Sequence, residues 1–396
     1  MILPLAFVLS HQQNMPQVPK GGPSVIRVPT LKPAPKSFLK APKGFKVSLY
    51  ADNLRNPRMM AAAPNGDVFV VETRIEKAMK NMPHQVHVLG KMGSDGKAKD
   101  LGVWSDQLNY PFGIRFAFGC LYVANTGSIV RWNYKLGQTR PKEKAETILS
   151  GIPDLGYRNH WTRNILFSHD FKHLYLTIGS EKNLAEEGPR RAAIERYNLD
   201  DGGQIVGKGT LFANGLRNPI GLATNPRNNE LWTAVNERDY QGDDLVPDFA
   251  TSVKEGGFYG WPYYYIGGHR DTRMPNKPAL KDKVIVPSVL FTAHTAPIDL
   301  VFASSTMFPP EYNGDLYVTQ HGSQNRSKMV GYKIVRVRMD AKGKPTGKVE
   351  DFVTGWLPTG SNKEIYGRPA GLCFLPDGSL LVADDWGGKI WRISHS

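Results

Sequence analysis

One phrase of residues recurs six times along this chain, and every copy reads as strand and turn. A copy opens on a tight stretch that usually carries proline, runs through a short apolar segment and a polar turn, and ends in an alternating strand. The copies begin at Leu54 (LRNPRMMAAAPNGDVFVVET), Leu108 (LNYPFGIRFAFGCLYVANT), His160 (HWTRNILFSHDFKHLYLTIGS), Leu216 (LRNPIGLATNPRNNELWTAVNE), Thr295 (TAPIDLVFASSTMFPPEYNGDLYVTQH) and Gly367 (GRPAGLCFLPDGSLLVADD). A strand unit repeating at roughly 50 residues buries its apolar faces only by stacking on its neighbours, which is the pattern of a β-propeller. The expected fold class is all-β, a six-bladed propeller, with blades over residues 54–107, 108–159, 160–215, 216–294, 295–366 and 367–394. Asn-Gly or Asp-Gly in APNGDVFV, EYNGDLYV and LPDGSLLV marks hairpins. The last blade is short, so the alternating FKVSLYA from Phe45 is expected to lend it an outer strand. That pairing closes the ring and removes the edges an open ring would leave.

This division leaves residues 1–44 as an extended N-terminal segment and 45–396 as the propeller and catalytic unit. The segment starts with MILPLAFVLS, too short to span a bilayer and without a basic n-region, and reads as the remnant of an export signal. A Pro-, Lys- and Gly-rich linker or wrap follows. The expected location is periplasmic or secreted, with no transmembrane segment. The net charge of +14 favours anionic ligands, or is simply a solvated basic surface. Without an aromatic-interleaved basic stripe, no nucleic-acid partner is expected. Cys120 and Cys373 sit in apolar strands and read as free thiols, a disulfide between them being the open alternative. Two insertions break the rhythm, Arg74–Gln85 and Asn236–Pro287, and a connection as long as the second usually builds or covers something.

In a propeller the residue before each innermost strand lies at one mouth of the central channel. In this chain those positions hold Asn56, Tyr110, His160, Arg217 with Asn218, His294, and Arg368. The ends of the second strands add Glu72, Asn125, Glu181, Asn236 with Glu237 and Asp239, Gln320 with His321, and Asp384 with Asp385. So polar a set at equivalent positions suggests a binding mouth, although any one of these residues serves as well to satisfy buried backbone. His160 suits general-base chemistry near neutral pH, or a structural hydrogen bond. The forks of Arg217 and Arg368 suit carboxylates of a ligand, or of a neighbouring blade such as Asp384 or Glu237. The acidic loop NERDYQGDDLVPD offers oxygens to calcium without matching any fixed ligand spacing. Behind it GGFYGWPYYY offers the flat faces of Tyr259 and Trp261 to a planar ligand or a sugar.

The stretch GLRNPIGLA…ELWTAVNERD…GDDLVPD…GGFYGWPYYY, with NHWTRNILFS, TQHGSQNRSKMVGYKIVRV and GRPAGL…GSLLVADD, resembles the soluble pyrroloquinoline-quinone (PQQ)-dependent sugar dehydrogenases, nearest the sorbosone-dehydrogenase-like branch. The resemblance implies PQQ and calcium at the top of the channel, a sugar or sugar aldehyde as substrate, and an external electron acceptor. It implies His160 as catalytic base and Arg217, Asn218 and Arg368 beside the cofactor. A further fifth-blade cofactor contact falls to Gln320 or Arg326, with Lys328 competing. The carbonyls of Asn236, Glu237 and Arg238 would hold calcium, although Glu237-Arg238 stands where the glucose-oxidising relatives have Gly-Pro. Two other readings stay open. One is a calcium-dependent lactonase using Glu72, Asn125, Asn236 and Asp384; the other is a non-catalytic carbohydrate-binding propeller.

Overall fold

A computed structural model describes residues 25–73, 83–154 and 160–396. The apolar run at the start of the chain and most of the Arg74–Gln85 insertion lie outside these residues. Among the described residues, five four-stranded sheets and one five-stranded sheet form the blades. Their innermost strands are Pro57–Ala62, Gly113–Ala117, Ile165–Phe167, Asn218–Thr224, Pro297–Phe302 and Pro369–Phe374. Each touches the next around the ring and the sixth touches the first, as the repeat predicts. The Asn-Gly and Asp-Gly turns carry the expected left-handed glycines, Gly66, Gly314 and Gly378, at φ +88°, +76° and +85°.

Ring closure follows the sequence reading. Phe45–Ala51 pairs antiparallel with Lys389–His395, in the register Val47↔Ile393 and Leu49↔Trp391. Phe45 is fixed by edge-on rings: Phe308, Tyr312 and Phe352 lie with centroids 4.9, 4.8 and 5.1 Å away. Full burial of such a side chain stabilises by roughly 1.5–3 kcal/mol, and the partly buried Phe45 gains a share of that, so the closing strand is held by side-chain packing as well as its ladder. Upstream, Thr30–Leu31 pairs in parallel with Glu364–Ile365, so part of the Pro-rich segment lies along the propeller. Cys120 and Cys373 are both free. No helix of the described residues is long and apolar enough to cross a membrane.

Proline explains how the hub becomes a site. Four inner strands carry proline at their first or second residue, and in each the ladder shifts register just after it: Pro57/Met60, Pro219/Leu222, Pro297/Asp299 and Pro369/Leu372. Proline has no N–H to give the ladder, and the resulting irregularity re-aims the next residue. Arg58, Ile220 and Ile298, each following such a proline, line the channel mouth. Glycine sets how close adjacent blades come: a Cβ on Gly371 would lie 2.3 Å from the Arg58 carbonyl oxygen.

Candidate active site

Where the strand starts converge, a cavity of about 320 Å³ opens, within the range of roughly 300–1,000 Å³ usual for small-molecule sites. His160, Arg217, Asn218 and Arg368, drawn from three blades, all line it, as do the strand-end residues Asn236 and Glu237. Arg58, Asp239, Asp248, His294 and His321 complete its polar wall.

His160 is 3% exposed, and its backbone is gripped by Arg163. The Arg163 guanidinium donates to the carbonyls of His160 at 3.0 Å and Thr162 at 2.7 Å. The His160 Nδ1 lies 3.0 Å from the Ser180 carbonyl oxygen and 2.9 Å from Ser180 Oγ, whose own proton goes to the Lys182 carbonyl at 2.6 Å. A carbonyl can only accept, so Nδ1 carries the proton and the neutral ring keeps its lone pair on Nε2. Burial, and next the charge of Arg217, hold this imidazole well below its usual 6.5; the Ser180 carbonyl pulls the other way and loses. The ring is therefore neutral at physiological pH, with its lone pair on Nε2, the nitrogen that does not carry the proton.

Gly179 leaves room for both Asn218 and His160. A Cβ there would sit 2.4 Å from Asn218 Oδ1 and 2.8 Å from His160 Cβ. Gly179→Ala is expected to lower stability by about 1–3 kcal/mol through overpacking, read as a drop in the denaturant midpoint. An unchanged midpoint would show that the two side chains are not confined.

Two charge clusters flank the histidine. In the first, Asp385 binds Arg368 with both oxygens, at 2.9 and 2.8 Å, and also receives Arg58 and, at 2.9 Å, His321 Nε2. The two guanidiniums lie over aromatic faces, Arg368 4.3 Å from the Trp386 centroid and Arg58 5.7 Å from that of Trp161. Burial would raise the Asp385 pKa, but Arg368 and His321 outweigh it and hold the carboxylate well below its usual range. Burial and the charge of Arg368 push His321 down to about 3, so it stays a neutral donor. In the second cluster, His294 faces acceptors with both nitrogens, Gly242 O at 3.0 Å and Asp239 Oδ1 at 3.3 Å. Burial opposes its charge, yet Asp239 and Asp248 raise its pKa. Asp248 is itself pushed up to about 7 by burial, while its oxygens accept the N–H groups of Glu237 and Ala296, each at 2.8 Å.

Arg217 sits between the clusters and is heavily bonded. It donates to the carbonyls of Asn236 at 3.2 Å and Glu237 at 2.6 Å, to Asn183 Oδ1 at 2.7 Å and to Asp239 Oδ2 at 3.2 Å. Those are two of the three carbonyls, with that of Arg238, that the resemblance offers to calcium. The Glu237 carboxylate turns away to Arg238, at 3.0 Å. The Arg238 guanidinium is fully buried and holds the long insertion together through Asp271, Pro262 O and Tyr264 O at 3.1, 2.9 and 2.7 Å. Among the described residues no cluster of three or more acidic, His or Cys side chains could hold a metal. A divalent ion about 4 Å from a guanidinium would meet roughly 8 kcal/mol of repulsion at an effective dielectric near 20. As arranged, the expected calcium donors do not fit a divalent ion.

A flat, multiply carboxylated quinone fits better. Three guanidiniums line the cavity, and the carboxamide oxygens of Asn218 and Asn236 are buried without a hydrogen-bond partner among the described residues. The guanidiniums match the carboxylates, whereas these amide oxygens need an N–H or O–H donor from a ligand or water.

Several expected site residues lie elsewhere. Gln320 is the last ladder residue opposite Pro297 and is 4% exposed, and it does not line the cavity. Arg326 does not line it either, because its guanidinium is held by the acidic loop, at the Asp243 carbonyl and at Asp244 Oδ1, 2.7 Å away. The fifth-blade contribution comes instead from His321, Gly322, Gln324 and Asn325. Tyr259 and Trp261 offer no open faces: they are 1% and 4% exposed, and Trp261 Nε1 donates to the Asn183 carbonyl at 3.1 Å, bracing the loop that holds Arg217. Of the lactonase set only Asn236 lines the cavity. Glu72 accepts from Arg55 N and Gln85, Asn125 bonds Ser128, and Asp384 accepts from Trp356 and Trp391, so each is spent within or between blades. Arg58 was not foreseen. Its signal is the residue after proline, apolar in Phe112, Ile220, Ile298 and Ala370 but Arg in the first copy.

The chain is 25% identical over 422 residues to a pyrroloquinoline quinone-dependent pyranose dehydrogenase of Coprinopsis cinerea, covering 92% of this chain but 55% of that protein's length. It is 29% identical over 371 residues, 91% of each chain, to an uncharacterized protein of Borreliella burgdorferi. Among solved structures, the calcium structure of a Trichoderma reesei carbohydrate-active enzyme of family AA12 superposes with a TM-score of 0.74 at 21% identity, over 90% of this chain and 97% of that one. The holo form of the PQQ domain of the Coprinopsis cinerea pyranose dehydrogenase gives 0.72 at 20% identity, over 92% and 98%. These two likenesses bear on the propeller fold. The TrAA12-like family model matches residues 39–246 and 271–396, and the chain belongs to that family.

Proposed function

We propose that this protein is a PQQ-dependent oxidoreductase that oxidises a sugar, a pyranose or aldose or a sugar aldehyde of the sorbosone type, with His160 as general base. The observation that carries the proposal is a buried, neutral imidazole with its basic nitrogen fixed as Nε2, set in one cavity with three guanidiniums. The name of the Coprinopsis cinerea relative, a PQQ-dependent pyranose dehydrogenase, supports the same reading. When bound, the quinone supplies a two-electron acceptor for the hydride leaving the sugar carbon. His160 takes the proton of the hydroxyl on that carbon, which for an aldehyde substrate is a hydroxyl of its hydrate. Arg58, Arg217 and Arg368 neutralise carboxylates, and their fixed partners mean they need not reorganise to do so. The electrons pass on to an external acceptor.

Calorimetric titration with PQQ is expected to show one quinone per chain, and the loaded protein is expected to reduce an artificial dye with at least one aldose. Absence of quinone binding would overturn the proposal. Sugar binding without turnover under any cofactor would favour a carbohydrate-binding propeller, and lactone opening without quinone a hydrolase.

A further inference from the structure

At the end of the second strand of blade 4 two carbonyls point at one spot, and a cation already stands there. Arg217 Nη1 donates to Glu237 O at 2.6 Å and Asn236 O at 3.2 Å, and its Nη2 reaches Asp239 Oδ2 at 3.2 Å. The guanidinium is held on its far side by Asn183, through both its backbone carbonyl, at 3.1 Å from Nε, and its side chain. Asn183 is itself fixed, since its carbonyl accepts from Trp261 and its side-chain oxygen from Asp239 N at 2.9 Å. Arg217 is 3% exposed, so this is a built site and not a surface contact. The neighbouring carboxylate oxygens are committed as well. Asp239 Oδ1 accepts from Asn325 at 2.9 Å and faces His294, and both oxygens of Asp248 accept backbone N–H groups.

We infer that Arg217 is the resident cation of this site, supplying the positive charge at the Asn236–Glu237 carbonyls, so that the site works without a divalent metal. A guanidinium is always charged and presents its donors as a rigid fork, so one side chain bridges two carbonyls and a carboxylate at once. Calcium needs six to eight oxygens, and the two carbonyls and the Asp239 carboxylate it would use already face the guanidinium. The inference rests on the proposed quinone reading only for its second test.

The first test uses quinone-free protein and calcium alone, by equilibrium dialysis with metal analysis. The wild type is expected to take up no stoichiometric calcium below about 1 mM, the weak limit of protein calcium sites. Arg217→Ala, which vacates the carbonyls and releases Asp239, is expected to bind calcium at least ten-fold tighter than the wild type. Arg217→Lys, with a thermal melt on both variants, covers the case where alanine does not fold; lysine keeps the charge without the fork and should remain calcium-poor. One calcium per wild-type chain at sub-millimolar concentration, weakened by Asp239→Asn, would overturn the inference. The second test compares PQQ titrations of the wild type in EDTA and in calcium. Affinities within two-fold of each other are expected, and a ten-fold or greater gain with calcium would overturn it. No quinone binding in either buffer would instead sink the proposed function, leaving calcium uptake to decide this inference by itself.

Discussion

His160→Ala is expected to lower kcat by about two to four orders of magnitude while leaving PQQ affinity within a few-fold of the wild type, the range assigned to a positioned general base. The asymmetry follows from the geometry. Carboxylate neutralisation in this cavity falls to Arg58, Arg217 and Arg368, while His160 is neutral and offers a lone pair, so its loss removes proton transfer and little binding energy. The Ser180 carbonyl fixes the tautomer, so His160→Gln, which can accept but not take up a proton, should be nearly as slow as alanine. The pH dependence has a definite sign. Because burial and Arg217 depress the imidazole pKa, the active unprotonated form persists below pH 6.5. The acid limb of kcat/KM should therefore lie on the acid side of an ordinary histidine titration. The same shift opposes acid stability, since the unfolded chain binds a proton at this site before the folded one does as pH falls through 6.5. Stopped-flow turnover and quinone titration on the two variants check all of this; a loss of cofactor affinity as large as the loss of rate would make His160 a binding residue instead.

What the sequence could reveal of this site depended on where each residue sits in the repeat. Positions just before an inner strand are set by ring geometry, so His160, Arg217, Asn218 and Arg368 could be placed together from spacing and resemblance, and all four line the cavity. Side chains whose direction is decided by a neighbour could not be placed. Gln320 and Arg326 belong to the right blade, but one is buried at the end of the ladder and the other is claimed by an acidic loop more than 80 residues earlier in the chain. The dense aromatic run around Trp261 looked like a ligand platform because sequence does not show which ring faces are covered. Arg58 was concealed for the opposite reason: it occupies a position that elsewhere in the repeat packs the hub, and only the irregularity after Pro57 turns it towards Asp385. The choice between an inter-blade ion pair and ligand binding for the arginines also had no resolution in sequence. The structure shows both together, since Arg368 is paired with Asp385, the neighbour of the expected Asp384, and still lines the cavity.

That pairing underlies the second large effect. Asp385 is fully buried as a side chain and balances Arg58 and Arg368, which are each 7% exposed. Asp385→Ala leaves two guanidiniums facing each other in a desolvated site, and removing one partner of a buried ion pair costs about 3–5 kcal/mol. For a domain of this size the melting temperature should fall by on the order of 10 °C. Asp385→Asn keeps the shape and two hydrogen-bonding atoms but not the charge, and should fall between alanine and the wild type. The pH dependence again has a fixed sign. The folded-state pKa of Asp385 is held well below the usual carboxylate value, so its contribution is complete above the unfolded value near 4 and fades as pH falls from there through the depressed folded value. Denaturant melts of the wild type and Asp385→Asn should differ fully at pH 7 and converge in strong acid. A gap that stayed constant down to pH 3 would mean that shape, not charge, makes Asp385 important. If the two arginines also face ligand carboxylates, saturating PQQ should restore more stability to Asp385→Ala than to the wild type, because the ligand returns the missing negative charge to the same two guanidiniums.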